Sequence, residues 1–403
     1  MTTPSDAPIP AGGVLVHVGP FKTGTTAIQG ALQDARERLP DHGVRYPGTA
    51  RRIARPGWAV LGRKQRGRDP VPIEEWEELA AEVRAASDHR VCISTEDFGS
   101  ASPEQAARIV GDLGGDRVHV VAVARRLDKL LPSQWQERVK SHDRRTYDEW
   151  LRAVLGHDEN HFSYKNFWAS HDLAHTFDRW TATVGRDRFR LIVSDDDPQQ
   201  LPRVFERLLA LPEGTLQLPP YRNQSLSLNQ TVLVRRLNEI FEDREWPDEL
   251  YFPMLQRGLM QALITGESSP LEQRIPPLPP WAQERVVEIT ERKIEQFRER
   301  GIHVIGDLDN LRPPPPTAGS ESGAEFEEPD RLAIESAAMA VTGAVEGALK
   351  RRKRLQRERT QELRAARSTA PPPAEPSGRE LLGELARRAR RKARSKIRRG
   401  VSR

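Results

Sequence analysis

The sequence predicts a three-layer α/β fold with a central parallel sheet, followed by a basic tail that is helical or disordered. Short apolar runs alternate with segments of helical period over roughly the first 310 residues. Strands of a parallel sheet are covered on both faces and therefore read as continuous apolar runs rather than as alternation. The first such run ends in a glycine-rich turn that opens a helix. Every Trp, Tyr and Phe lies at or before Phe326, so the remaining residues hold no aromatic side chain with which to build a core.

In chain order, residues 13–18 (GVLVHV) form the first strand, and residues 25–38 carry Ile28, Leu32 and Ala35 at helical spacing. Residues 43–47 close that unit. The next strand is 90–94 (RVCIS), then a helix near 103–113, a strand at 118–124 (VHVVAVA) and a helix over 129–140. A strand at 189–193 (FRLIV) and a helix over 201–211 follow. The domain boundaries expected from this pattern are a disordered N-terminus at 1–10, the folded domain at 11–310, a linker at 311–330 and a tail at 331–403.

The linker assignment rests on RPPPPTAGSESGAEFEEP at 312–329, where four consecutive prolines preclude a helix or a central strand. Beyond it, residues 330–367 are Ala-rich, with Leu332, Met339, Val341, Val345 and Leu349 giving a loose helical stripe. Residues 379–399 then place Leu381, Leu385, Ala389, Ala393 and Ile397 at i+4 spacing among basic residues, the pattern of a short basic amphipathic helix.

Charge separates the same regions. The chain carries +5 overall, but residues 350–403 hold 20 Lys and Arg against 5 Asp and Glu, a net of +15, which leaves −10 on the first 349. A segment so charged attracts an anionic membrane surface, another polyanion or the acidic body itself, whereas specific nucleic-acid binding is not expected. One cysteine, Cys92, permits neither an internal disulfide nor a Cys-based zinc cluster. No apolar run approaches a membrane span, and residues 1–10 lack the features of a signal peptide. A cytoplasmic chain is expected, peripheral at the membrane if the tail binds there.

The turn after the first strand reads HVGPFKTGTTAIQ over 17–29. It presents backbone N–H groups and the positive end of a helix dipole to one point, which suits phosphate or sulfate. Against the Walker A spacing GxxxxGK[ST], Gly19 and Gly24 are correctly separated and Thr26 takes the hydroxyl position, but Thr25 stands where the lysine belongs and Lys22 lies inside the loop. The fold is thus P-loop-like, with the NTPase lysine displaced. At that position Lys22 can still reach the bridging oxygen of a phosphate ester, where negative charge develops during group transfer.

Lys22-Thr23-Gly24-Thr25-Thr26 after the first strand resembles the 5′-phosphosulfate loop of the PAPS-dependent sulfotransferases, and with GVRYPG at 43–48 the chain looks most like their bacterial branch. The resemblance covers about 11–305. It implies PAPS (3′-phosphoadenosine 5′-phosphosulfate) as sulfuryl donor, no metal, and an acceptor hydroxyl or amine on a small molecule or glycan: carbohydrate, lipid or secondary metabolite. Thr23, Gly24, Thr25 and Thr26 would bind the 5′-phosphate, with Lys22 on the departing oxygen.

A second motif lies in VVAVARRLDKLLPSQW, where Arg125 ends a strand and Ser133 follows on the next helix. A guanidinium fork and a hydroxyl converging in this way can receive a phosphate monoester. By the resemblance they hold the 3′-phosphate. Glu96, in CISTEDFG, sits on the carboxyl edge of the sheet, where open α/β folds bind ligands, and can act as general base. Asp97 competes for that role, and Thr95, Glu96 or Asp97 can instead cap a helical turn.

The chain departs from the animal cytosolic branch in having Ala27 where that branch places an adenine-stacking tryptophan, and in lacking its glycine-rich C-terminal motif. Arg222 or Asn223, in YRNQSLSLNQ at 221–230, could reach the nucleotide. His157, His161, His171 and His175 lie in one stretch without the HExxH pattern, so a solvated or acceptor-lining loop is favoured over a metal site. His17 is either a donor beside the sulfate or a partly buried histidine. Trp135, Trp150, Trp168 and Trp180 are expected in the core. Two other classes remain open: a P-loop-like nucleotide-binding or kinase-like enzyme, and a non-catalytic anion-binding module with a basic interaction tail.

Overall fold

The computed structural model describes residues 6–50, 53–63, 69–156, 158–218, 225–266, 273–315, 329, 331, 334–369 and 383. The strands are β1 (Val14–His17), β2 (Val44–Arg45), β3 (Arg90–Ser94), β4 (Val118–Ala124), β5 (Phe189–Val193) and β6 (His303–Ile305). They form one sheet in the order β2-β3-β1-β4-β5-β6, every neighbouring pair parallel. β1, β4 and β5 are buried along their whole length, which is why their sequences are apolar apart from His17, His119 and Arg190. This is the α/β fold with a central parallel sheet that the sequence predicts.

The helices that follow along the chain are α1 (Thr25–Ala35), α2 (Ala54–Val60), α3 (Glu74–Ala85), α4 (Pro103–Asp112), α5 (Leu127–Lys140), α6 (Tyr147–Leu155), α7 (Phe162–His171), α8 (Leu173–Val184) and α9 (Gln200–Leu209). Helix α10 (Leu228–Asp243) leads into α11 (Asp248–Leu250), a π-helix (Tyr251–Met260) and α12 (Gln261–Thr265), then α13 (Pro280–Glu299) and α14 (Ile334–Thr369). Ser102 and Gln105 form a capping box at α4, as do Thr146 and Glu149 at α6, so both starts are written in the sequence.

Two apolar clusters result. One surrounds the sheet. The other lies among α5, α6, α10, the π-helix, α13 and the start of α14, and includes Trp135, Trp150, Leu259, Val286 and Ala340. Trp135, Trp150 and Trp180 are fully buried, and Trp168 packs at the edge of the second cluster.

The compact unit differs from the expected domain at both ends. Ile9 is fully buried and its amide donates to Leu208 O, because an apolar residue just before β1 finds a pocket beside α9. At the other end this unit extends to Ala348 rather than to residue 310, with Leu349–Arg403 forming a second unit. The reason is small residues. A Cβ on Gly343 would lie 2.5 Å from Gly258 O, and one on Gly347 2.0 Å from Pro253 O, so the first half of α14 meets the π-helix backbone to backbone without any aromatic side chain. Within the second unit the described residues continue α14, with Leu349 and Leu355 exposed. The 379–399 helix, apart from residue 383, and most of the 312–329 linker lie outside the described residues. No described helix is long and apolar enough to cross a membrane.

Candidate active site

Because all six strands are parallel, their carboxyl ends share one edge. The chain leaves β1 toward β2 and β3 on one side and returns to β4 on the other, so the crevice between the ends of β1 and β4 is the topological switch point, where open α/β sheets bind ligands. The loop from Val18 to Gly24 and the end of β4 at Arg125 both lie there.

The loop starts alongside β4, with Val18 N donating to Val121 O and Val123 N to Gly19 O. A Cβ at Gly19 would stand 2.9 Å from the Glu96 Cα, so the loop passes β3 closely enough to require glycine. Lys22 takes a left-handed φ of 66°, rare for a side-chain-bearing residue and held here by its surroundings. Arg125 Nη1 donates to Lys22 O at 2.7 Å, and Thr23 Oγ1 to Pro20 O at 2.8 Å. Gly24, at φ 94°, then opens α1 with no side-chain cap and no acidic residue in the first turn. The positive end of that helix is left uncompensated. Thr23 and Thr25 are buried, while Gly24 and Thr26 are exposed on the rim.

The Lys22 ammonium lies 2.7 Å from Glu137 Oε1 on α5, and Lys140 donates to the same oxygen at 2.9 Å. Burial would raise the Glu137 carboxyl, but the charges and hydrogen bonds of Lys140 and Lys22 override it and hold it at about 2. Ser133 stands one turn before Glu137 on the same face of α5, yet its hydroxyl turns back to Lys129 O at 3.4 Å. Burial lowers the Arg125 guanidinium against the opposing pull of Asp196 and Asp128.

Glu96 opens a 3₁₀ turn (Glu96–Ser100) directly after β3 and is 5% exposed. Its Oε2 accepts from Gln29 Nε2 at 2.8 Å, which orients the carboxylate toward the loop's helix. Asp97, the competing candidate, is bound by Arg63, which also reaches Ser100, so its carboxylate is committed to an ion pair. His17 is fully buried, its Nδ1 2.9 Å from Ser94 Oγ and its Nε2 without a partner; burial pulls it down to about 3, so it is neutral.

His171 is also buried and lowered to about 4 by burial. Its Nδ1 donates to Phe167 O at 2.8 Å and its Nε2 accepts from Gln134 at 3.0 Å, which occupies both nitrogens. Among the described residues no group of three His, Cys, Asp or Glu could hold a metal ion. His157, Arg222 and Asn223 lie outside the described residues.

Sequence reasoning missed Gln29 and Glu137. The available signal was a polar residue on the apolar face of α1 in the first case, and the i+4 relation to Ser133 in the second. It also missed Thr290 and Lys293 of α13, which share a cavity with Pro20 and Arg125.

No protein-family model matches the sequence, and no curated protein matches it. Among solved structures the chain is similar to a sulfotransferase from Alicyclobacillus acidocaldarius, at 13% identity and a TM-score of 0.39, over 71% of this chain and 94% of that one.

Proposed function

We propose that this protein transfers a sulfuryl group from PAPS to a hydroxyl or amine of an acceptor that is a small molecule or glycan. The observation that carries the reading is the 2.7 Å bond from Arg125 Nη1 to Lys22 O, which joins two motifs 103 residues apart at the switch point. An anion loop and a second cationic grip set side by side suit a nucleotide phosphorylated at two positions.

When bound, PAPS supplies the activated sulfuryl group. The chain's own residues position and stabilise. The start of α1, with Thr23, Gly24, Thr25 and Thr26, takes the 5′-phosphate on backbone amides and helix dipole. Lys22 leaves Glu137 and places its ammonium on the phosphate oxygen where negative charge accumulates. Glu96, oriented by Gln29, accepts the acceptor's proton.

Calorimetric titration with adenosine 3′,5′-bisphosphate and, separately, with ATP and magnesium tests the donor. Incubation of a cell extract with radiolabelled PAPS tests the transfer. Tight bisphosphate binding, weak ATP binding and a labelled product that disappears with Lys22→Ala are expected. Preferential magnesium-dependent ATP binding would overturn the reading in favour of a kinase-like enzyme.

A further inference from the structure

Where α5 ends, a polar cleft of about 640 Å³ opens between residues 142–146 and α10, lined by Arg144, Arg145, Arg235 and Arg236 together with Glu149 and Glu239. We propose that this cleft anchors the acceptor, and that the acceptor is an acidic glycan whose carboxylate or sulfate ester groups lie on these guanidiniums while its hydroxyls meet the carboxylates. The inference rests on the sulfuryl-transfer reading and narrows its acceptor from carbohydrate, lipid or secondary metabolite to an anionic carbohydrate.

Buried residues of α10 hold the cleft in shape. Asn238, 1% exposed, donates from Nδ2 to Val139 O at 2.7 Å and to Asp143 O at 2.9 Å. Arg235, 2% exposed, donates to Arg144 O at 3.0 Å and pairs with Glu239. His142 turns the chain at a φ of 77° and stacks on the Tyr251 ring, whose hydroxyl donates to Asn238 Oδ1 at 2.7 Å. The backbone that carries Arg144 and Arg145 is thus fixed before a ligand arrives, which lowers the ordering cost of binding. The position also fits. Lys140, two residues before His142, donates to Glu137 Oε1, the same oxygen that Lys22 holds. A chain anchored in the cleft therefore leads toward the Lys22 ammonium, whereas Arg125 precedes the opposite end of α5, about 20 Å away along its 14 residues.

The lining selects the ligand. Four guanidiniums face three carboxylates, and each guanidinium holds more donors than one carboxylate consumes. Arg145 forks Asp143, and Arg236 donates to Glu239 at 3.0 Å. Burial would raise Asp143, but the hydrogen bonds and charge of Arg145, with the charge of Arg138, keep it lowered and ionised. Arg144 is exposed, and its guanidinium meets no carboxylate among the described residues. These surplus charged donors suit a carboxylate or a sulfate ester. Glu149, which accepts from the Thr146 amide and hydroxyl, repels a bare anion but can accept from a sugar hydroxyl as well. An acidic sugar offers both groups. No Leu, Ile, Val, Met, Phe, Tyr or Trp lines the cleft, so nothing there would bury a lipid chain or an apolar metabolite.

The test is calorimetric titration of the full chain with three short oligosaccharides of matched length: an oligogalacturonate, a dextran sulfate and an uncharged dextran. At least one anionic probe should bind more tightly than the uncharged one, and the tighter of the two names the anionic group. Arg144→Gln and Arg236→Gln, both at exposed positions, should each weaken that binding by about 10-fold. Glu149→Gln, which preserves the capping box of α6, should strengthen it by about 2- to 5-fold. Equal affinity for charged and uncharged probes overturns the cleft, and so does anionic binding that survives both arginine substitutions, since the probe would then sit on other cations such as those of the tail. Titration of the same variants with adenosine 3′,5′-bisphosphate keeps the two readings apart. Retained bisphosphate binding with no role for the cleft overturns the acceptor class alone, whereas a wild-type protein that does not bind the bisphosphate overturns the sulfuryl-transfer reading on which it rests.

Discussion

Lys22 Nζ and Glu137 Oε1 stand 2.7 Å apart, and this ion pair holds the loop lysine on α5 instead of over the start of α1. Both side chains are partly exposed, 33% and 38%, so the pair is worth about 0.2–1 kcal/mol. If Lys22 must leave Glu137 to meet a bound phosphate, that amount opposes nucleotide binding. Glu137→Gln should therefore strengthen adenosine 3′,5′-bisphosphate binding by about 1.5- to 5-fold. Unchanged or weaker binding in calorimetry would show that Lys22 keeps its place on α5.

Glu96 and Asp97 are adjacent, but their surroundings separate their roles. Glu96 meets an amide donor from Gln29, whereas Asp97 is neutralised by Arg63. Glu96→Gln should lower turnover by about 10²- to 10⁴-fold with nucleotide affinity unchanged. Asp97→Asn should lower the melting temperature and retain the pH profile of turnover. The reverse pattern in steady-state kinetics would move the base to Asp97.

Strands β3, β4 and β5 coincide with the apolar runs read from the sequence because full burial on both faces leaves no alternation to interpret. β2 and β6 span two and three residues and are too short to produce such a run; their pairing with β3 and β5 comes from tertiary packing. The loop and the end of β4 are legible as local motifs. Gln29 to Glu96 and Lys22 to Glu137 are not, since these contacts span 67 and 115 residues and the residues carry no local pattern. The end of the compact unit escaped because aromatic content measures how much apolar area a segment can bury, not how closely two backbones can approach.

That close approach is testable at Gly343. A side chain there would meet Gly258 O at 2.5 Å and the Ala262 Cβ at 2.6 Å, neither of which can swing aside. Gly343→Val should separate α14 from the π-helix, uncover Ala340 and cost about 1–3 kcal/mol as overpacking. Val345, 54% exposed on the same helix, provides the control: Val345→Ala should be nearly silent. Equal urea midpoints for the two variants would place α14 outside the stabilising core.

The burial of His17 and His171 predicts a fold that loses stability in acid. Burial holds them at about 3 and about 4 in the folded protein, against about 6.5 in an unfolded chain. Above 6.5 both states are neutral and pH has no effect through these groups. As pH falls below 6.5 the unfolded chain takes up protons that the folded one refuses, so stability drops until pH reaches the folded values. At pH 5 the loss is about 2 kcal/mol per histidine. His119, lowered to about 4 by burial and by Arg190 and Arg188, acts in the same direction. Glu137, at about 2, is still ionised at pH 5 and does not contribute there. Urea denaturation at pH 7.5 and 5.0 should show this decline, and His17→Gln should reduce the proton uptake on unfolding between those values by one. An unchanged pH slope in His17→Gln would mean that His17 is already protonated in the folded state.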